Sequence, residues 1–237
     1  MIGYVTRVTF VGWGSCRALV PARWLALALC ALMALAVPAA LAADGGSTSS
    51  IPHILVLGDS LVAGYGLGQG EAFPEALGAA LNARGRAVRV TNAGVSGDTS
   101  AGGLARVEWS LDDRPDLLIL ELGANDALRG LPVDDLRRNL SAIIEACRQR
   151  GVRVLLAGMQ APRNLGPDYT RRFDSVYPEL AKRYGLTLYP FFLDGVALDR
   201  SLNLPDGMHP NVKGVQVIVQ RMLPVVEREL DALRAGN

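Results

Sequence analysis

From Ile51 onward, five short apolar runs alternate with longer segments of helical period, and that alternation leaves few folds open. The runs are Ile54 to Leu57, Val88 to Asn92, Leu117 to Leu122, Arg153 to Ala157 and Thr187 to Tyr189. Strands separated by amphipathic helices signal βαβ units, in which each helix carries the chain back to a parallel neighbour. Leu117-Leu118-Ile119-Leu120 is apolar on both faces, as a central strand covered by helices on each side must be. Helices are expected at about Phe73 to Arg84, Ala101 to Ser110, Val133 to Arg150, Tyr169 to Tyr184 and Asn211 to Leu233, with Pro132 suited to a first turn and Gly151 to a stop. The expected architecture is α/β, a three-layer α/β/α sandwich around a central parallel five-stranded sheet. A chain of 237 residues accommodates one such domain, placed here at 51–237, and shows no internal repeat.

The segment before the domain reads differently. Residues 1–43 contain Arg7, Arg17 and Arg23 but no Asp or Glu, and an apolar run from Trp24 to Val37 ends at Pro38. Ala40-Leu41-Ala42 offers small residues at the positions a signal peptidase accepts, so 1–42 is expected to be a secretory signal cleaved after Ala42. A retained anchor would use the apolar stretch as a span, but Pro38 and the small-residue site oppose it. Leu29 before Cys30, and the central position of that cysteine, oppose a lipoprotein signal. Residues 43–50, rich in Gly, Ser and Thr, read as a flexible linker. The expected location is exported and periplasmic, with no stable membrane anchor after cleavage. Only Cys147 then remains, expected as a small buried hydrophobe on a helix, with no internal disulfide.

In an open parallel sheet, ligands bind outside the carboxyl ends of the strands. Three strand exits carry polar residues: Gly58-Asp59-Ser60-Leu61, Asn92-Ala93-Gly94-Val95-Ser96-Gly97-Asp98, and Gly123-Ala124-Asn125-Asp126. A fourth cluster, Asp206-Gly207-Met208-His209-Pro210, precedes the last helix. Acyl transfer by a serine needs a base, a group that orients the base, and donors for the oxyanion. Of two histidines, His53 begins the first strand, at the end away from these loops, which leaves His209 as base. Asp206, three residues earlier, can reach the imidazole within one turn. Taken singly these residues are turns, helix caps and solvated surface; their joint placement carries the reading.

These four blocks, in this order, resemble those of the SGNH or GDSL hydrolases. Leu57-Gly58-Asp59-Ser60-Leu61, Glu121-Leu122-Gly123-Ala124-Asn125-Asp126 and Tyr177-Pro178-Glu179-Leu180-Ala181 are similar to the periplasmic thioesterase I, lysophospholipase and arylesterase group, with Ala124 where Gly is common. The resemblance implies a flavodoxin-like sheet. It makes Ser60 the nucleophile, His209 its base and Asp206 the residue that orients His209. The Ser60 and Gly94 backbone N–H groups and the Asn125 amide become oxyanion donors, and Asp59 a structural carboxylate outside the triad. Cleavage of small-molecule acyl esters and thioesters without cofactor or metal follows from the same likeness. Leu128 and Leu131, in the loop from Ala127 to Pro132, are the candidate wall for the acyl chain.

Other functions are weaker or remain open. With 24 basic and 23 acidic residues, the chain has no footprint for nucleic acid. There is no Gly-x-Ser-x-Gly elbow for an α/β-hydrolase, and the glycines from Gly64 to Gly70 match neither nucleotide fingerprint and read as a flexible rim. A carbohydrate or cell-wall acetylesterase with the same triad, and an inactive binding protein, stay open, because the triad fixes the reaction and the pocket fixes the substrate. The oligomeric state is not legible.

Overall fold

The computed structural model describes residues 51–235; the expected signal peptide and linker lie outside the described residues. The chain runs β1 (His53–Gly58), α1 (Ser60–Ala63), α2 (Phe73–Ala83), β2 (Arg89–Gly94), α3 (Ser100–Ser110), β3 (Leu117–Glu121), α4 (Ala124–Leu128), α5 (Val133–Gln149), β4 (Arg153–Ala157), α6 (Pro167–Tyr184), β5 (Thr187–Tyr189) and α7 (Val212–Ala235). All strands pair parallel in the order β2-β1-β3-β4-β5. This is the expected three-layer α/β/α sandwich. β1 and β3 are buried along their whole length, which is why their sequences are apolar on both faces.

Strand order and the handedness of crossovers together place the helices. Passing from β1 to β2 moves one way across the sheet, whereas β2 to β3 and every later step move the other way. Right-handed crossovers therefore put α2 on one face and α3, α5 and α6 on the opposite one. The packing agrees: α2 lies against α7, α3 against α5, and α5 against α6. Each buries an apolar stripe at helical spacing, such as Phe73, Leu77 and Leu81 of α2, or Leu136, Leu140, Ile143, Ile144 and Cys147 of α5. Cys147 is fully buried, and burial pushes its thiol up to about 12.

The reversal of direction at β1 opens a crevice between the carboxyl ends of β1 and β3, the switch point of an open α/β sheet. Two short helices absent from the sequence reading, α1 and α4, begin there, directly after the central strands. His53 is at the other end of β1, where its Nε2 meets Thr91 Oγ1 at 2.8 Å and its Nδ1 accepts from Arg89 at 2.9 Å. No helix among the described residues is long and apolar enough to cross a membrane.

Candidate active site

Asp59 caps α1, its Oδ1 accepting the Leu61 N–H at 3.0 Å. Ser60 is thus the first residue of the helix, and its own N–H has no backbone or side-chain acceptor among the described residues. The opposite bank is the long connection from β5 to α7. Asn203, buried, donates to the Val196 and Asp199 carbonyls at 2.7 Å each, and the Leu204 N–H donates to the His209 carbonyl at 2.7 Å. Asn211 donates to the Ser201 carbonyl at 3.0 Å, and its Oδ1 accepts the Lys213 and Gly214 N–H groups at the start of α7. These bonds present His209 over Ser60.

His209 Nε2 is 2.9 Å from Ser60 Oγ, and Nδ1 is 2.7 Å from Asp206 Oδ2. Asp206 Oδ1 accepts the N–H groups of His209 at 3.0 Å and Met208 at 2.9 Å. Those two backbone bonds, with the imidazole, hold the Asp206 carboxyl down at about 2. Ionised, Asp206 is only an acceptor, so Nδ1 carries the proton and bare Nε2 accepts from the Ser60 hydroxyl. The Tyr65 ring covers the imidazole, with centroids 4.5 Å apart and planes tilted by 38°.

The sequence-predicted oxyanion donors are placed unequally. Asn125 faces the cleft beside Ser60, with its amide donating to Asp59 Oδ2 at 3.1 Å and to the Asp98 carbonyl at 2.9 Å. Gly94 does not line the cleft. Its N–H is taken by Asn92 Oδ1 at 2.9 Å, and a Cβ there would lie 2.2 Å from the Ala63 nitrogen. Gly94 is bare because the α1 backbone packs on it, and its occupied N–H corrects the expectation that it donates to the oxyanion. The cleft wall on that side is Ser96 and Gly97, and the Gly97 N–H has no acceptor among the described residues. Arg129 and Arg106 brace this turn, Arg129 donating to the Gly97 carbonyl at 2.8 Å and Arg106 to Asp98 Oδ2 at 2.7 Å.

A cleft of about 930 Å³ extends from Ser60. Leu128 lines it as expected, but Leu131 does not; its carbonyl accepts the Tyr169 hydroxyl at 2.9 Å. Most of the apolar wall comes instead from the loops after β4 and β5, through Met159, Pro162, Phe191, Leu193 and Leu198. Leu198 combines 93% exposure with φ 68°, a left-handed conformation rare for leucine. Of the glycine-rich rim, Tyr65 reaches the cleft.

Fold and site define the class: a hydrolase of carboxylic esters. Residues 56–217 match the model of the GDSL-like Lipase/Acylhydrolase family, and the chain belongs to that family. It is 42% identical to an arylesterase of Vibrio mimicus over 158 residues, 66% of this chain and 79% of that one. It is 37% identical to the thioesterase 1/protease 1/lysophospholipase L1 of Escherichia coli K12 over 159 residues, 67% of this chain and 75% of that one. Among solved structures, the SGNH-hydrolase family esterase AlinE4 is 47% identical, with a TM-score of 0.64 over 76% of this chain and 97% of that one.

Three features escaped the sequence reading. The β4 and β5 exits lack a polar signature, so their part in the cleft was silent. Tyr65 lay among glycines that resembled rim and nothing more. Glu121 ends an apolar strand, and only burial reveals it as unusual.

Proposed function

We propose that Ser60 is the nucleophile of an acyl-enzyme mechanism, with His209 as general base and Asp206 as the group that orients it. The observation that carries this reading is the hydrogen-bonded series Ser60–His209–Asp206, at 2.9 and 2.7 Å. Ser60 Oγ adds to the acyl carbonyl as its proton passes to Nε2; the tetrahedral adduct collapses, and the imidazolium returns that proton to the leaving oxygen or sulfur. Water then enters by the same route, giving the acid and free Ser60. The chemistry asks nothing of a metal.

The free N–H groups of Ser60 and Gly97, with the Asn125 amide, suit the oxyanion better than Gly94, whose N–H is occupied. Asn125 must then share or release one bond. The bond to the neutral Asp98 carbonyl is the weaker, and the charge-assisted bond to Asp59 stays.

The substrates are acyl esters and thioesters with an apolar chain along Met159, Phe191, Leu193 and Leu198. An oxyanion hole recognises the carbonyl whichever atom leaves, and the relatives' names span arylesterase, thioesterase and lysophospholipase. A sugar acetylesterase is not favoured by these relatives or by so apolar a cleft. Export follows the expected signal, with a mature chain beginning at Ala43.

A fluorophosphonate should label the parent on Ser60 and fail to label Ser60→Ala. Nitrophenyl esters from acetyl to palmitoyl, acyl thioesters, lysophospholipid and acetylated sugars then profile the parent. Labelling elsewhere, or cleavage of acetylated sugars alone, overturns the proposal.

A further inference from the structure

Glu121, the last residue of β3, has no part in the scheme above, yet it is a fully buried acid beside the turn that carries the nucleophile. Its residue is 0% exposed, its Oε1 has no hydrogen-bond partner among the described residues, and its Oε2 accepts only the Asp59 N–H at 3.3 Å. Through that bond the carboxyl lies beside Asp59, whose residue is fully buried as well. β1 passes over it as a bare backbone, since a Cβ on Gly58 would lie 2.6 Å from Oε2.

Two ionised carboxylates side by side in the interior repel, and among the described residues no Lys or Arg pairs with either, so one of the two holds a proton. An unpaired charge in the interior costs far more than a neutral acid. The supporting donors are unequally shared. Asp59 receives the Leu61 N–H at 3.0 Å and the Asn125 amide at 3.1 Å, whereas Glu121 receives one long bond. The negative charge therefore belongs to Asp59 and the proton to Glu121.

We propose that Glu121 is a positioning residue that works as a neutral acid: it donates a hydrogen bond to Asp59, and the single negative charge of the pair anchors the Asn125 amide and the first turn of α1. The inference rests on the oxyanion role proposed for Asn125.

The surroundings favour one proton in the pair. Burial, then the Asp59 charge, raises Glu121 well above the usual carboxylate range; burial also raises Asp59 to about 6, against the pull of Leu61 and Asn125. The other ionisable groups facing the pair are committed elsewhere. The Tyr177 hydroxyl donates to the Leu122 carbonyl, Asp126 accepts from Ser100, Arg106 holds Asp98 and the Gly58 carbonyl, and His209 faces Asp206 and Ser60.

Infrared spectra of the purified protein at neutral pH should show the carbonyl stretch of a buried carboxylic acid, lost in Glu121→Gln; its absence from the parent overturns the proposal. Glu121→Leu should lower kcat roughly 10- to 100-fold with little change in KM, and Glu121→Gln, a neutral group of the same shape, should restore most of that loss. Placed on Asn125→Ala, Glu121→Leu should cost much less than on the parent; an undiminished cost means Glu121 does not act through Asn125 and overturns the proposal. If Asn125→Ala itself keeps its kcat, the oxyanion reading fails, and the infrared band still decides whether the proton is there.

Discussion

Ser60 gains its environment from two neighbours that the chain places far apart, Asp59 beside it and His209 in the connection from β5 to α7. Ser60→Ala and His209→Ala should each lower kcat by on the order of 10³-fold or more with unchanged circular dichroism, because the proposed nucleophile and base act as a unit. Asp206→Asn removes the acceptor that keeps the proton on Nδ1, and should lower kcat steeply through the wrong tautomer. Since the folded carboxyl titrates at about 2, its contribution is present above the ordinary 3.8 and is lost only as pH falls through about 2. Asp206 thus stays ionised wherever the enzyme is assayed near neutrality. Asn125→Ala should reduce kcat by about 10² to 10³ with a smaller change in KM, because the amide meets charge that exists only in the transition state. A large KM effect at preserved kcat would assign it to ground-state binding instead.

At the scale of elements, the close packing of α1 on the end of β2 determines how Ser60 is presented. Gly94→Ala forces a Cβ to within 2.2 Å of the Ala63 nitrogen, so the backbone of α1 or β2 must move. A loss of about 1–3 kcal/mol or more is expected, read as a lower melting temperature. The proposed acyl wall belongs to the loops after β4 and β5. In a nitrophenyl ester series, Met159→Ala with Leu198→Ala should flatten the rise of kcat/KM with chain length, where each buried methylene contributes up to about 0.8 kcal/mol. Leu131→Ala should leave the profile superimposed on the parent's, since that side chain is outside the cleft. Helices α6 and α7 run through Pro178 and Pro224. Their buried apolar stripes outweigh the cost of an interior proline, roughly 3 kcal/mol for the missing backbone bond and the ring clash together.

For the whole molecule, three buried ionisable groups set how stability follows pH. His53 is lowered, first by burial and then by Arg89, so the unfolded chain takes up its proton near 6.5 before the folded one does. Its contribution is complete above that value and declines as pH falls below it. Asp59 and Glu121 act in the opposite sense. Their folded values are raised, so stability is lost as pH climbs above the unfolded 3.8 and 4.5, with Asp59's share complete near 6. Glu121 held protonated costs about 1.4 kcal/mol for each further pH unit. The melting temperature of Glu121→Gln minus that of the parent should therefore increase from pH 5 to pH 8. A constant difference would show that Glu121 keeps an ordinary carboxylate titration in the fold.

The order of strands and helices was legible in the chain because burial on both faces demands continuous apolar runs, and one-sided burial demands a helical period. Ser60 and Asn125 were legible for a related reason: polar residues placed where an apolar strand stops mark the edge at which a parallel sheet exposes its loops; Asp206 and His209 stood out as a polar cluster just before the last helix. What the chain could not express is contact between segments distant in sequence. Gly94 looked like a donor until α1 was seen to press on it and Asn92 to occupy its N–H. Leu131 looked like a pocket wall, but it does not line the cleft. The apolar side of the cleft and the Glu121–Asp59 pair arise only when β1, β3 and the loops after β4 and β5 come together. Apolar loop residues carry no periodic signal, and a lone glutamate at a strand end reads as solvated until the layers around it exclude water.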